Sequence, residues 1–505
     1  MTLAQAEEQA AEDAALAQAN GESSLRSHIS SLFQGSATYI AGDLATKALA
    51  FVLIPVYTRY LTPADYGIIE VVKALTTGFG ILCVMGLNGA MTRYYFDYPD
   101  DLQRRQFLGN ISLLLLLVSF SVVFLFDRYG EALSTALFRG IPFNTYIRLA
   151  IWTVFVGMAS TVMLTVYRTK QEPVKYVALQ ITQSFVSFGL ILCFVVVRQN
   201  GALGKIEGEF VGAMAIGLLV TYLVRPHIRP YWSWSEVKRS LKFGVPLVPH
   251  LIFWWVIDLS DRMFLQYYAT LQEVGIYSLG YNMASLMVVV TAGLNNAWAP
   301  YFFSISSRPG AKEIIAKLLT YSLCAFLFIG LVLALFSREL VFLVTTPDYY
   351  EAHRIIPLIV IGFVFMGLGI LLTNIIFYEQ KSHYMPVLTG IAACVNVGLN
   401  MLLIPPFGMM GAAYATVVAM AVYACAIFIA SQKVYRIPFD TGKIALVGVA
   451  FAALIALGTE LRLEQAAAAI AVKTLILFAF LVFLWRSRIV CPSDLAIVGR
   501  RTSTV

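Results

Sequence analysis

The stretch Tyr268-Ala-Thr-Leu-Gln-Glu-Val-Gly275 has a counterpart 208 residues earlier, Tyr60-Leu-Thr-Pro-Ala-Asp-Tyr-Gly67, with the same step from Tyr to Gly and an acid two places before the Gly. Further along, Leu294-Asn295-Asn296-Ala297 answers Leu87-Asn88-Gly89-Ala90, and Tyr301-Phe302-Phe303 answers Tyr94-Tyr95-Phe96. Tyr167-Arg-Thr-Lys170 returns as Tyr378-Glu-Gln-Lys381, and Gly201-Ala-Leu-Gly204 as Gly408-Met-Met-Gly411, at nearly the same offset. One chain therefore carries two related halves.

Composition says what the halves are made of. The 505 residues are 59% hydrophobic and only 13% charged, with mean hydropathy +0.76, more apolar surface than a soluble core of this length can bury. Apolar runs long enough to cross a hydrocarbon layer of about 30 Å, roughly 20 helical residues, recur near 36–56, 67–91, 107–126, 146–168, 174–197, 207–224, 241–266, 274–303, 315–337, 355–378, 385–404, 409–431, 443–460 and 467–485. The runs are continuous and do not alternate, which argues against a β-barrel. The expectation is an all-α membrane protein of about 14 transmembrane helices. The repeat covers six helices in each half. Six is even, so the halves keep one orientation and form two parallel six-helix repeats plus two C-terminal helices.

The expected organisation is an acidic tail at 1–30, an N-lobe at 31–224, a basic linker at 225–240, a C-lobe at 241–431, the last two helices at 432–490 and a second tail at 491–505. Lys and Arg are concentrated in one set of loops, from Arg93 and Arg104 through the linker to Lys381 and Arg486, which makes those loops and both termini cytoplasmic. The net charge of +7 reads as an insertion signal, with no nucleic-acid partner implied. Trp232 and Trp234 suit the linker to the headgroup layer as an amphipathic connector. The six cysteines, one of them Cys491 in the tail, have no ligand-like spacing, so neither a metal site nor a disulfide is expected.

Charges inside spans are costly, at least about 2.5–3.5 kcal/mol for an ion facing lipid, so their placement points to an interior. Asp43 and Lys47 lie one turn apart on the first span, and Glu70, Lys73, Thr77 and Gly80 share a face of the second. The two stripes are expected to share one water-filled cavity. Pro63 and Gly67 are expected to make a tight outer turn before the second span. In the seventh span, Pro246 and Pro249 predict a bend, and His250, Trp254, Asp258 and Arg262 recur at four-residue steps with Asp261 beside them. Asp261 and Arg262 fall near the outer end, where an interfacial ion pair is expected, and Asp258 lies one turn deeper. Tyr281 and Asn282 follow in the eighth span. Arg93 reads first as a membrane-surface anchor, and Asp97 to Asp101 as a solvated loop.

The Asp261-Arg262 pair followed by Val274-Gly275-Ile-Tyr277-Ser278, the Leu61-Thr-Pro-Ala-Asp-Tyr-Gly67 motif and the 6+6+2 order of spans resemble the polysaccharide-transporter branch of the multidrug/oligosaccharidyl-lipid/polysaccharide exporter superfamily. O-antigen and exopolysaccharide repeat-unit flippases belong to that branch. The resemblance implies a non-enzymatic carrier in the bacterial inner membrane. Such a carrier flips undecaprenyl-diphosphate-linked oligosaccharide by alternating access, beside a polysaccharide polymerase and chain-length machinery. It makes Lys47, Lys73, Arg93 and Arg262 candidates for the diphosphate, and Tyr281 and Asn282 candidates for the glycan. Asp43, Glu70, Asp258 and Asp261 become candidates for H+ or Na+ coupling, with no other cofactor. A multidrug or cation antiporter of the same superfamily, or a membrane glycan polymerase or transferase, are the alternatives.

Overall fold

Thr62 explains why the repeated motif starts a helix. Its Oγ1 accepts from the Asp65 amide at 3.1 Å, while Asp65 Oδ2 accepts from the Thr62 amide at 3.1 Å; Pro63 occupies the first turn, where no amide is needed. Thr270 does the same in the second half, accepting from the Glu273 amide at 3.2 Å. The acid two places before each glycine is thus the third helical residue, and in the first half its side chain closes the cap as well. Glu273 has a further task, since its Oε2 accepts from the Met409 amide at 3.1 Å.

The structure, a computed structural model, describes residues 38–39, 41–460, 465–487 and 489. The tails expected at 1–30 and 491–505, with Cys491, lie outside them. In chain order the helices are α1 (Ala41–Tyr60), α2 (Pro63–Val84), α3 (Leu87–Tyr94), α4 (Asp101–Leu137), α5 (Phe143–Thr169), α6 (Pro173–Val197) and α7 (Gly201–Val224). Then come α8 (Trp234–Gly244), α9 (Val248–Tyr268), α10 (Leu271–Ile305), α11 (Ala311–Leu335), α12 (Ser337–Val344) and α13 (Ile356–Tyr378). Met385–Val434 is one helical stretch broken at Gly408, whose φ of 53° and ψ of −132° are not helical; it therefore divides into α14 (385–407) and α15 (409–434). The chain ends in α16 (Thr441–Glu460) and α17 (Ala466–Arg486). No strand occurs among the described residues.

Among the described residues, thirteen helical stretches are long and apolar enough to cross a membrane. One of them runs from Ser382 to Val434, 53 residues; at 1.5 Å per residue it is about 80 Å long, far too long for a single crossing. Folded back at Gly408 it makes two crossings, and the expected fourteen are recovered. The predicted bend at Pro246 and Pro249 is instead a joint. Val245–Leu247 forms a 3-10 turn between α8 and α9, and Pro249 sits in the first turn of α9, where proline breaks no hydrogen bond.

The first half packs α5 on α7, α6 on α7 and α4 on α5; the second packs α13 and α9 on the paired helices α14 and α15, and α11 on α13. The halves meet mainly through α2, which lies against α9 and α10. The last two spans attach to the second half, α16 and α17 both packing on α11. Lys473 of α17, nearly buried, reaches both oxygens of Glu339 on α12 at 2.6 and 2.7 Å.

The connector helix α8 is bound to the first half. Glu236 accepts from Tyr98 Oη and Asn110 Nδ2, both at 2.8 Å, and Asn110 Nδ2 also reaches the Ser233 carbonyl at 3.1 Å. Asp97 accepts from Arg93 at 3.0 Å and from Arg239 of α8. The loop expected to be merely solvated therefore clamps the connector.

Candidate functional site

Gly67 and Gly275 fix the geometry around which the charged residues gather. Gly67 is helical, not part of the expected turn; a Cβ there would stand 2.0 Å from the Leu271 carbonyl oxygen, and one on Gly275 would stand 1.9 Å from that of Pro63. Only glycine lets the two helix starts approach so closely. The equivalent residues of the two halves thus meet each other, as a two-fold relation between the halves requires.

From this contact the facing surfaces of α2 and α10 part. Along α2, Glu70 is buried, Lys73 and Thr77 are exposed, and a Cβ on Gly80 would meet nothing within 4 Å. Along α10, Tyr281 is buried, Ser285 is half-buried, Ala292 and Asn296 are exposed, and Gly293 again faces open space. The seam is closed at the Gly67 and Gly275 end and open toward the other.

At the closed end polar side chains bridge the halves. Glu70 accepts from Lys73 on its own helix at 3.1 and 3.2 Å, and from Asn282 Nδ2 of α10 at 3.2 Å; the same nitrogen donates to Tyr66 Oη at 3.1 Å. Tyr349 Oη donates to the Leu61 carbonyl and Thr346 Oγ1 to that of Thr58, both at 2.9 Å.

Behind Asn282 lies a second group. Arg262 Nη1 donates to Asp261 Oδ1 at 2.7 Å and to the Asp258 carbonyl at 2.5 Å, and its guanidinium carbon sits 4.1 Å from the centre of the Tyr281 ring. Tyr277 donates to Asp261, and Tyr281 to Asp258 Oδ1 at 2.5 Å. The side chains of Arg262 and Asp261 are 1% and 0% exposed, so the pair expected at the outer surface is instead sealed inside the second half. Helical phase decides this, turning both residues toward Tyr277 and α15, whose Thr416 hydroxyl is 3.4 Å from Tyr277 Oη. Asp258 is half-buried and forms no ion pair among the described residues.

The remaining candidates lie elsewhere. Asp43 does not share a contact with the Glu70 face; it accepts from Gln180 of α6 at 3.0 Å, because α1 packs there through Tyr39 on Tyr176 and Gly42 on Val177. Lys47 is exposed, with no ion-pair partner among the described residues. Arg93 belongs to the clamp on α8. His250 packs on Thr389 at 3.1 Å. Sequence reasoning missed Lys205 and Glu209 of α7, which stand 2.5 Å apart and line a cavity with Lys73. Their four-residue spacing was visible, but nothing in the sequence aims that face at α2. No group of three or more His, Cys, Asp or Glu is placed to hold a metal among the described residues.

Around the closed end, Glu70, Asp258 and Asp261 face Lys73 and Arg262, which leaves one carboxylate in excess. Such a site can bind a cation or a proton at the surplus carboxylate, and an anion where a lysine exchanges its counter-ion.

Comparison with known proteins fits this arrangement. The profile of the family described as "Polysaccharide biosynthesis protein" matches residues 32–306, and that of MatE matches residues 246–402. "Lsg locus putative protein 1" of Haemophilus influenzae is 21% identical over 368 residues, 70% of this chain and 86% of that one. An uncharacterized membrane protein of Methanocaldococcus jannaschii is 21% identical over 414 residues, 76% of this chain and 80% of that one. Among solved structures, the lipid II flippase MurJ in an inward closed conformation superposes with a TM-score of 0.73 at 11% identity, over 90% of this chain and 99% of that one. An inward-facing multidrug resistance MATE transporter of the MOP superfamily superposes with a TM-score of 0.62 at 13% identity, over 77% and 94%. With the family's profile matched over more than half its length, the chain belongs to the polysaccharide biosynthesis protein family and has the fold of the MOP superfamily exporters.

Proposed function

We propose that this protein flips a polyprenyl-diphosphate-linked oligosaccharide across the bacterial inner membrane by alternating access, with both termini cytoplasmic. The observation that carries the reading is the seam between α2 and α10, sealed at Gly67 and Gly275 and open beyond Gly80 and Gly293, with Lys73 exposed on its wall. A glycan diphosphate cannot cross hydrocarbon unaided, whereas a polar seam between two lobes hides it from lipid and leaves the polyprenyl chain outside. Membership of a polysaccharide biosynthesis family and the likeness to a lipid II flippase support this class of substrate. O-antigen or exopolysaccharide repeat units, handed on to a polymerase and chain-length machinery, are the natural cargo.

Lys73 meets the diphosphate, while Asn282 holds the lobes together beside it and Tyr281 anchors Asp258 within the second half. Asp258, which forms no ion pair among the described residues, takes up H+ or Na+ and so neutralises the excess charge as the lobes rearrange. The test is an assay of lipid-linked oligosaccharide sidedness in proteoliposomes or spheroplasts, with and without this chain. Accumulation on the cytoplasmic leaflet without the chain is expected; unchanged sidedness refutes the reading.

The MatE profile over residues 246–402 favours a second reading, a cation-exporting antiporter. Deletion would then change drug sensitivity and leave lipid-linked glycan undisturbed.

A further inference from the structure

Just inside the Gly67 and Gly275 contact, the first half forms a half-open cavity of about 260 Å³ between α2, α5 and α7. Two ammonium groups line it, Lys73 from α2 and Lys205 from α7, together with Thr76, Thr77, Thr153 and Glu209. The three threonines donate to carbonyls of their own helices, Thr76 and Thr77 to Lys73 and Thr153 to Leu149. The lysines are therefore the cavity's mobile donors, each with three N–H groups.

The two lysines are held in opposite ways. Lys205 is 12% exposed and its carboxylate Glu209 is 41% exposed, 2.5 Å away. Lys73 is 44% exposed and its carboxylate Glu70 is 5% exposed, 3.1 Å away. One pair thus offers a cation whose counter-ion can swing out to water, and the other a cation that can itself swing away from a fixed counter-ion. Both ammonium groups can turn to a single anion without either carboxylate having to leave the protein. The room is that of on the order of nine waters at about 30 Å³ each, enough for a diphosphate and too little for an oligosaccharide.

We propose that this cavity is the diphosphate pocket of the carrier, in which Lys73 and Lys205 grip the substrate's diphosphate in place of Glu70 and Glu209. The proposal rests on the reading of the protein as a carrier of lipid-linked glycan. The glycan then extends past Thr77 toward Gly80, where the seam is open. Exchange at Lys73 also reaches the second half, because Glu70 Oε1 is shared between Lys73 and Asn282, both at 3.2 Å. Once Lys73 turns to the diphosphate, Glu70 depends on Asn282 of α10 and on the field of Arg262, so cargo in one half tightens the bond between halves.

The experiment is calorimetric titration of the detergent-solubilised full chain with inorganic pyrophosphate, each variant first checked for its melting temperature. Lys73→Gln and Lys205→Gln should each weaken binding by at least about tenfold, and Lys205→Arg should keep it. Glu209→Gln should tighten binding, because it removes the competing carboxylate, and Lys238→Gln on the exposed face of α8 should change nothing. Failure of the native chain to bind pyrophosphate, unchanged binding by folded Lys205→Gln, or weaker binding by Glu209→Gln each overturn the pocket. The transport assay separates the two ideas. Lys205→Gln flipping glycan as fast as the native chain sinks the pocket alone; Lys205-dependent pyrophosphate binding by a chain that flips no glycan sinks the transport reading and keeps the pocket.

Discussion

Gly67 and Gly275 occupy the same place in the two halves and lie against each other, each with its Cα facing a backbone carbonyl of the other's helix start. Adding a methyl group to either must push α2 and α10 apart, since a Cβ would overlap a main-chain oxygen that cannot rotate aside. Gly275→Ala is therefore expected to open the sealed end. Cysteines introduced at Thr58 and Thr346, where the Thr346 hydroxyl now donates to the Thr58 carbonyl at 2.9 Å, should cross-link more in the native background than with Gly275→Ala. Equal yields would show that the contact does not control closure.

Asn282 is the amide that ties Glu70 to the second half. A hydrogen bond to a charged acceptor contributes about 1.5–3 kcal/mol, and even the low end shifts the ratio of closed to open forms by roughly tenfold. Asn282→Ala should lower Thr58-to-Thr346 cross-linking to a similar degree while leaving the melting temperature little changed. A large fall in melting temperature with normal cross-linking would assign Asn282 to packing.

Arg262 and Asp261 are a sealed pair, so removing one charge strands the other. Arg262→Met is expected to destabilise the second half by about 3–5 kcal/mol, and Arg262→Met combined with Asp261→Leu by much less. Thermal melting of the solubilised full chain distinguishes these outcomes. A single variant as stable as the native chain would refute the burial of the pair.

Asp97 gives the connector a dependence on pH. The hydrogen bond from Arg239, and then that from Arg93, hold its carboxyl below the usual carboxylate range. A depressed folded value means the clamp is complete above the unfolded value of about 3.9 and is lost as pH falls through the lower folded value. A spin label at Lys238, on the exposed side of α8, should report the same immobilised helix from neutral pH down to about 5 and a loosened one only in stronger acid. With Asp97→Asn the label should already be looser at neutral pH than in the native chain, though still tethered through Glu236; a label insensitive to both acid and substitution would sink the clamp.

The amino-acid sequence by itself determined the class of fold and its duplication, because long apolar runs and a recurring cap motif are local properties of the chain. Thr62 with Asp65 and Thr270 with Glu273 start their helices through bonds that span three residues, and so they can be read from spacing alone. It also singled out Glu70, Lys73, Asp258, Asp261 and Arg262, since charge within an apolar run is visible without coordinates. Tertiary structure alone decided which of these charges meet. The angle at which α2 crosses α10 turned Gly67 from a turn residue into a contact surface and joined Glu70 to Asn282 more than two hundred residues away, while the packing of α7 on α2 brought Lys205 to the cavity that Lys73 lines. Helical phase sealed Arg262 inside, while the packing of α1 on α6 took Asp43 away from the seam. These are relations between helices, set by which faces fit closely enough to pack, and no single segment carries that information.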